Sequence, residues 1–292
     1  MNKAHLARET LRRPSTGRAA ILVAAASFGL ALSASAASAQ EAPSPPNAAA
    51  PVAPAPAPDF TVTGSAGVWS QYRFRGISQS DNKPVIQGAL TVTHKSGFYL
   101  STWGSSASAN DAVNLGGTEI DVYGGYAHTL GSSGVTADAG VYGYLYPGSK
   151  KAVGISENYY EVYADLAKPF GPVTTKVGIN YAPRQAYFRN FATPTRYNVY
   201  VYGELGYAPA NMPFLLHSHL GHTAGGLDFA GHSYLDYTVG ASYKWKALLF
   251  DVSVVGTDLS KSDTDPFDTL YGTTDFHRAA KTAIVGSISA SF

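Results

Sequence analysis

The last twelve residues of the chain show its most regular pattern. From Thr282 the even positions are Thr282, Ile284, Gly286, Ile288, Ala290 and Phe292, and the odd ones are Ala283, Val285, Ser287, Ser289 and Ser291. A period of two marks a strand with two unlike faces. The same alternation recurs upstream and predicts twelve strands, at 60–75, 86–95, 97–104, 118–129, 134–146, 158–168, 172–182, 196–207, 213–221, 233–244, 247–257 and 280–292. In the first, Phe60, Val62, Gly64, Ala66, Val68, Tyr72 and Phe74 oppose Thr61, Thr63, Ser65, Gln71, Arg73 and Arg75. In the eighth, Tyr197, Val199, Val201, Gly203, Leu205 and Tyr207 oppose Arg196, Asn198, Tyr200, Tyr202 and Glu204.

A soluble sandwich could alternate in the same way, so the connections decide. They run long and short in turn: the short ones lie at 96, 130–133, 169–171, 208–212 and 245–246, the long ones at 76–85, 105–117, 147–157, 183–195, 222–232 and 258–279. All long loops therefore fall at one end, as in membrane barrels with short periplasmic turns. The apolar face carries two groups of aromatics. Phe60, Tyr126, Tyr207, Phe214, Tyr243, Trp245 and Phe292 lie near the short turns; Tyr72, Phe74, Tyr160, Tyr181 and Tyr197 lie near the long loops. Two belts around an aliphatic band match the two interfaces of a bilayer. The expected fold is all-β, a 12-stranded antiparallel transmembrane β-barrel. Its last strand pairs with its first and removes both open edges.

Composition adds limits. Among 292 residues there is no Cys, which excludes disulfides, thiolate metal sites and Cys nucleophiles. The N-terminus reads as a signal peptide over residues 1–39, with Lys3, Arg8, Arg12, Arg13 and Arg18 ahead of an Ala-rich apolar run and the small-x-small site Ala37 to Ala39. Its removal shifts the formal charge from +1 to −3, so the apparent basicity belongs to the signal, and no nucleic-acid partner is expected. Residues 40–58 are a Pro/Ala-rich periplasmic linker, and 59–292 form the barrel. The destination is the outer membrane of a Gram-negative bacterium.

With the apolar face in lipid, the polar face lines the interior. Its acids are Glu119, Asp121, Asp138, Glu161, Asp165, Glu204, Asp236 and Asp251; its bases are Arg73, Arg75, Lys95, Lys176, Arg196 and Lys244. Lys95 and Lys244 sit at strand ends, leaving the middle acidic. The reading is a passive channel for small solutes or ions with weak cation preference. The competing readings are a lumen plugged by salt bridges and Tyr hydroxyls, with extracellular loops that bind a ligand or partner, and, further off, an outer-membrane hydrolase. His217 and His219 share one face, as a chelate needs, but no Cys or placed carboxylate completes a metal site. Asp263, Asp265 and Asp268 lack the Gly and closing Glu of a calcium loop. No cofactor, metal or catalytic residue is assigned. Loop 258–279, the longest, is the candidate to fold into the lumen.

One set of segments is more specific. Ser70 to Asp81 (SQYRFRGISQSD) is followed by Pro84, Gln87, Gly88, His94 to Tyr99 (HKSGFY) and Trp103 to Ser105 (WGS). Further on come Glu119 to Tyr126 (EIDVYGGY), Tyr146 to Gly148 (YPG) and Asn158 to Tyr163 (NYYEVY). Together these resemble the TorF porin family of proteobacterial outer-membrane proteins, over about residues 60–292. The resemblance implies a porin-like barrel and transport; it brings no catalytic residue and no solute. The terminal Phe292 also resembles the signal read by the barrel-insertion machinery. Within the first segment, Arg73 and Arg75 are expected to face inward near the outer mouth, either opposite acids such as Glu119 and Asp121 across the lumen or in a structural ion pair that holds the first extracellular loop. Porin-like barrels often assemble, so a homo-oligomer is a further expected partner.

Overall fold

The structure, a computed structural model, describes residues 58–109, 113–154, 156–189, 197–228, 232–271 and 276–292. The expected signal peptide, the linker up to residue 57 and Arg196 lie outside them. The barrel strands are β1 (Phe60–Trp69), β4 (Val85–His94), β5 (Phe98–Ser106), β6 (Thr118–Thr129), β7 (Thr136–Leu145) and β8 (Tyr159–Phe170). They continue as β9 (Val173–Ala182), β10 (Asn198–Tyr207), β11 (Phe214–Gly225), β12 (Tyr234–Trp245), β13 (Leu248–Thr257) and β14 (Ala283–Ser291). Each is antiparallel to its neighbours, and the sheet closes from β14 to β1. Each short turn contains a residue with positive φ, such as Gly97 (104°) or Gly171 (60°), which suits the reversal between twisted strands.

The outward positions match the sequence pattern. Val68, Ile86, Val177, Val239 and Ile284 are each more than half exposed, and only a surrounding apolar phase makes such a surface favourable. The aromatics of the short-turn end are all exposed, from Phe60 to Phe292, as are Tyr160, Tyr181 and Tyr197 at the other end.

Closure rests on a short seam. Ser65–Trp69 pair with Ser291–Ser287, and Gly64 and Phe292 exchange backbone hydrogen bonds of 2.8 and 3.0 Å. Beyond Trp69 the chain leaves the wall, so the outer part of β14 loses its strand partner. Backbone and side-chain groups of the next two residues replace it in part. Gly286 N–H donates to Ser70 Oγ (3.0 Å), Ser70 N–H to the Gly286 carbonyl (2.8 Å), and Gln71 Nε2 to the Ile284 carbonyl (3.4 Å).

Here the structure departs from the pattern. The first strand does not reach residue 75. Residues 70–84 form a loop that folds inward and carries a small hairpin, β2 (Arg73–Phe74) and β3 (Ile77–Ser78). Tyr72 is buried and Phe74 packs against Tyr144, so neither belongs to the lipid-facing belt. The hairpin keeps a period of two, so the alternation runs on past the point where the chain leaves the wall. An eight-stranded barrel can be filled by its own side chains; twelve strands enclose more, and here the loop takes the outer part of that space.

Two apolar clusters hold it. Phe74 lies against one built from Leu115, Tyr144, Tyr146, Tyr159, Ala182 and Phe188. Ile77 lies in the other, with Tyr234, Leu259, Phe276, Ala279 and Ala280. The last loop carries α2 (Lys261–Tyr271) and α3 (His277–Ala280), and α3 packs on β3. The segment expected to enter the lumen thus covers the one that does. One more helix, α1 (Ser149–Val153), follows β7.

The tip turns at Arg75 (φ 46°) and Gly76 (φ 80°). A Cβ on Gly76 would come within 2.6 Å of the Gly256 carbonyl oxygen and of Thr257 Cγ2. Gly76→Val is therefore expected to eject the hairpin and leave the barrel standing. Folded protein should keep heat-modifiable gel mobility, while proteolysis within residues 70–84 speeds up several-fold over wild type. Equal cleavage rates would place the tip elsewhere.

Candidate functional site

The interior changes character along its length. In the outer half the inward side chains are shut off: Glu119, Glu161, Asn198 and Thr223 have no exposed surface. Toward the short turns the setting is mixed: Lys176 and Asp251 keep side-chain exposures of 27% and 20%, while Ser101, Asp165, Ser242 and Ser253 are buried. This partly exposed polar part of the lumen forms a cup beneath the first outer loop.

At the junction stands Arg75. Its Nη2 donates to Glu161 Oε2 at 2.6 Å, with both side chains buried. The guanidinium carbon lies 4.1 Å from the centre of the Tyr200 ring and 4.7 Å from that of Phe74. Tyr144 OH (3.2 Å) and Asn180 Nδ2 (3.0 Å) also donate to Glu161 Oε2. The placement follows from strand parity: Tyr159, Glu161, Tyr163 and Asp165 alternate inward along β8. A left-handed conformation costs an L-residue about 1–2 kcal/mol, so the turn itself does not favour arginine. Its contacts with Glu161 and the two rings account for it. Removing one partner of a buried ion pair typically costs about 3–5 kcal/mol, which gives the scale of this latch.

Arg73 does not face an acid. It donates to Gln71 Oε1 (2.9 Å), Asn82 Oδ1 (3.1 Å) and the carbonyls of Gly76 (2.7 Å) and Lys281 (2.9 Å), tying the loop to itself and to the start of β14. Asp81 forms ion pairs with Lys83 (3.0 Å) and with Arg278. The expected meeting of Arg73 and Arg75 with Glu119 and Asp121 is thus replaced. Arg75 crosses to β8, and the two acids take tyrosine hydroxyls, Glu119 from Tyr146 (3.1 Å) and Asp121 from Tyr142 (2.9 Å).

The other expected lining residues sort into local pairs. Asp138 accepts from Tyr99 (2.9 Å), whose hydroxyl also meets that of Tyr163. Asp165 pairs with Lys176 at 3.0 Å, and buried Glu204 stands opposite Lys176 in register. His217 bonds Asp251 (2.6 Å); His219 bonds Asp236 (2.7 Å) and Tyr200 (2.6 Å). Each histidine has its own carboxylate, so the geometry gives two separate pairs and no shared chelate. Ser218 lies between them in a strand and points the opposite way, so it meets neither histidine. In the last loop Asp263 accepts from Ser260, and Asp268 from the Phe276 amide (3.0 Å), so both act as local caps.

A row of tyrosines runs up one wall. Tyr123 stacks on Tyr142 (4.4 Å), Tyr142 lies against Tyr144 (4.5 Å), Tyr144 stacks on Tyr159 (4.4 Å), and Tyr159 on Tyr187 (5.2 Å). Parity alone could place Tyr142, Tyr144, Tyr159 and Tyr200 inward. The convergence of Tyr144, Tyr159 and Tyr200 on the Arg75–Glu161 pair comes from the register between strands and the inward turn of the loop.

Just before β8, burial pushes the Glu157 carboxyl up to about 7 from its ordinary 4.5, and its Oε2 finds no partner among the described residues. A raised carboxyl favours the folded loop fully below its unfolded value, and that contribution is lost as pH rises through about 7. Proteolysis of the 146–158 segment should therefore be faster at pH 8 than at pH 5, with protease activity normalised on an unfolded substrate. Glu157→Gln should flatten that difference; an unchanged pH response in the variant would contradict the assignment.

Several solved structures align with the chain at low identity. An outer membrane channel from Pseudomonas putida F1 aligns at 12% identity and TM-score 0.44, over 84% of this chain and 99% of that one. OmpF of Salmonella typhi aligns at 7% identity and TM-score 0.39, over 80% and 97%. LpxR from Salmonella typhimurium aligns at 10% and 0.37, over 79% and 99%. No curated protein sequence matches the chain. The sequence does match a family over residues 53–292, the whole of the barrel and the end of the linker. The chain belongs to the Gcw_chp family, bacterial proteins of unknown function.

Proposed function

We propose that the protein is a porin-like outer-membrane channel for small solutes or ions, held closed by its first outer loop. The observation that carries this reading is the division of the lumen. A polar, partly exposed cup lies on one side of the hairpin, and the hairpin tip is tied to the wall by the Arg75–Glu161 ion pair, beside the apolar packing of Phe74 and Ile77. Transport is passive, filtered by width and lining charge. Asp138, Asp165 and Asp251 line the cup with Lys176, so the excess of carboxylates supports a mild cation preference. Lipid is the first partner, met by the outward apolar band. The terminal strand, ending on exposed Phe292, is the segment offered to the barrel-insertion machinery. A homo-oligomer is compatible with this reading.

The second reading is a permanently closed barrel whose outer loops bind a ligand or partner. The aromatic packing around Phe74 favours it.

Planar-bilayer recording separates the two. Wild-type protein is expected to give rare, small openings. Replacing residues 72–81 with a short Gly/Ser turn should give stable, larger steps, with a reversal potential showing cations ahead of anions. Absence of conductance in both folded proteins would overturn the channel reading and leave the closed barrel.

A further inference from the structure

Arg75 occupies a site that belongs to the barrel wall. Glu161 of β8 is the floor, Tyr200 of β10 covers one face of the guanidinium, and Tyr144 and Asn180 orient the carboxylate. An acid beneath an aromatic face is the general receptor for a planar organic cation, and guanidinium suits it better than ammonium because it stacks as well as hydrogen-bonds. The tethered arginine fills this receptor incompletely. All three donors converge on Glu161 Oε2, while Glu161 Oε1 and Arg75 Nη1, both buried, have no hydrogen-bond partner among the described residues. A two-point pair would use both oxygens. The arginine sits at a turn position with φ 46°, which restricts how its side chain can be presented. A free guanidinium is under no such restraint. On the approach from the cup, Tyr163 and Asp165 continue the same inward face of β8 below Glu161, with Asp138 opposite Asp165 in register and Lys176 paired to Asp165, so the path carries one carboxylate more than it has cations.

We propose that the wall site formed by Glu161, Tyr144, Asn180 and Tyr200 receives guanidinium-bearing solutes, and that Arg75 occupies it as an internal surrogate. A solute that takes the site displaces the hairpin tip. Binding stands on this geometry alone; its consequence, opening the lumen to the solute's own class, rests on the channel reading above.

The chain contains no Cys, so a single Ser78→Cys reporter in β3 is clean. Ser78 has no exposed surface, and maleimide labelling of the variant reads departure of the hairpin. The probe is argininamide at about 50 mM, chosen because a tethered group competes at an effective concentration in the millimolar range. Argininamide should raise the labelling rate several-fold, while potassium chloride at equal ionic strength and the neutral isostere citrullinamide leave it unchanged. In Ser78→Cys/Glu161→Gln the basal rate should rise and the response to argininamide disappear. Equal rates in all three solutes, or a response that survives Glu161→Gln, would overturn the proposal. Heat-modifiable mobility checks that each variant is folded. Should Ser78→Cys not fold, chymotryptic cleavage of the wild-type loop at Tyr72 and Phe74 gives the same comparison without a substitution. Silence in the bilayer with labelling intact would remove the channel and leave the site.

Discussion

A barrel wall in lipid must satisfy its backbone hydrogen bonds internally, since each unpaired group there costs several kcal/mol. That requirement makes the seam between β1 and β14 the point on which the architecture depends. It is made by a short pairing, Ser65–Trp69 with Ser287–Ser291, extended by one exchange between Gly64 and Phe292. At its outer end, Ser70 and Gln71 take over bonds that a longer β1 would have made. The inward departure of the chain at this point is therefore compatible with closure, because the first two residues to leave remain bonded to the wall.

The interior follows from strand number. Twelve strands leave room that wall side chains alone do not fill, and water, a loop or both must occupy it. Here the outer part holds a hairpin with its own apolar packing, and the part toward the short turns keeps carboxylates, tyrosines and one lysine in a more open setting. The two regimes meet at Arg75. A charge at that boundary is tolerated because Glu161 and the Tyr200 face replace the water it lost. Loss of the ion pair would leave a buried carboxylate with the neutral donors Tyr144 and Asn180 alone.

The strands were legible because their physics is local. Alternation at 118–129 and 247–257 comes from two environments on two faces, and the observed β6 and β13 match those spans to within a residue. The same locality hides the loop at 70–84. Tyr72 and Phe74 keep the parity of Val68, and nothing in a period of two says whether an apolar side chain meets lipid or a packed interior. Three apolar residues, Tyr72, Phe74 and Ile77, around an Arg-Gly turn in an outer loop were the available hint, since an exposed loop has little use for them. An ion pair holding the first loop is legible in the sequence, but which acid receives Arg75 is not: Glu119, Asp121, Glu161 and Asp236 all have the parity to face inward, and parity carries no depth or angle.

The sequence by itself determined a closed antiparallel barrel, its orientation of faces, the placement of long and short connections and the side of the wall on which each acid stands. These are consequences of alternation and of the length of each turn, and neither depends on distant contacts. Only the tertiary structure decided that the first loop turns inward, that the last loop covers it, and that Glu161 rather than Glu119 or Asp121 receives Arg75. Those outcomes depend on the inter-strand register around the whole barrel and on how a hairpin fits the space it encloses, quantities set jointly by residues far apart in the chain.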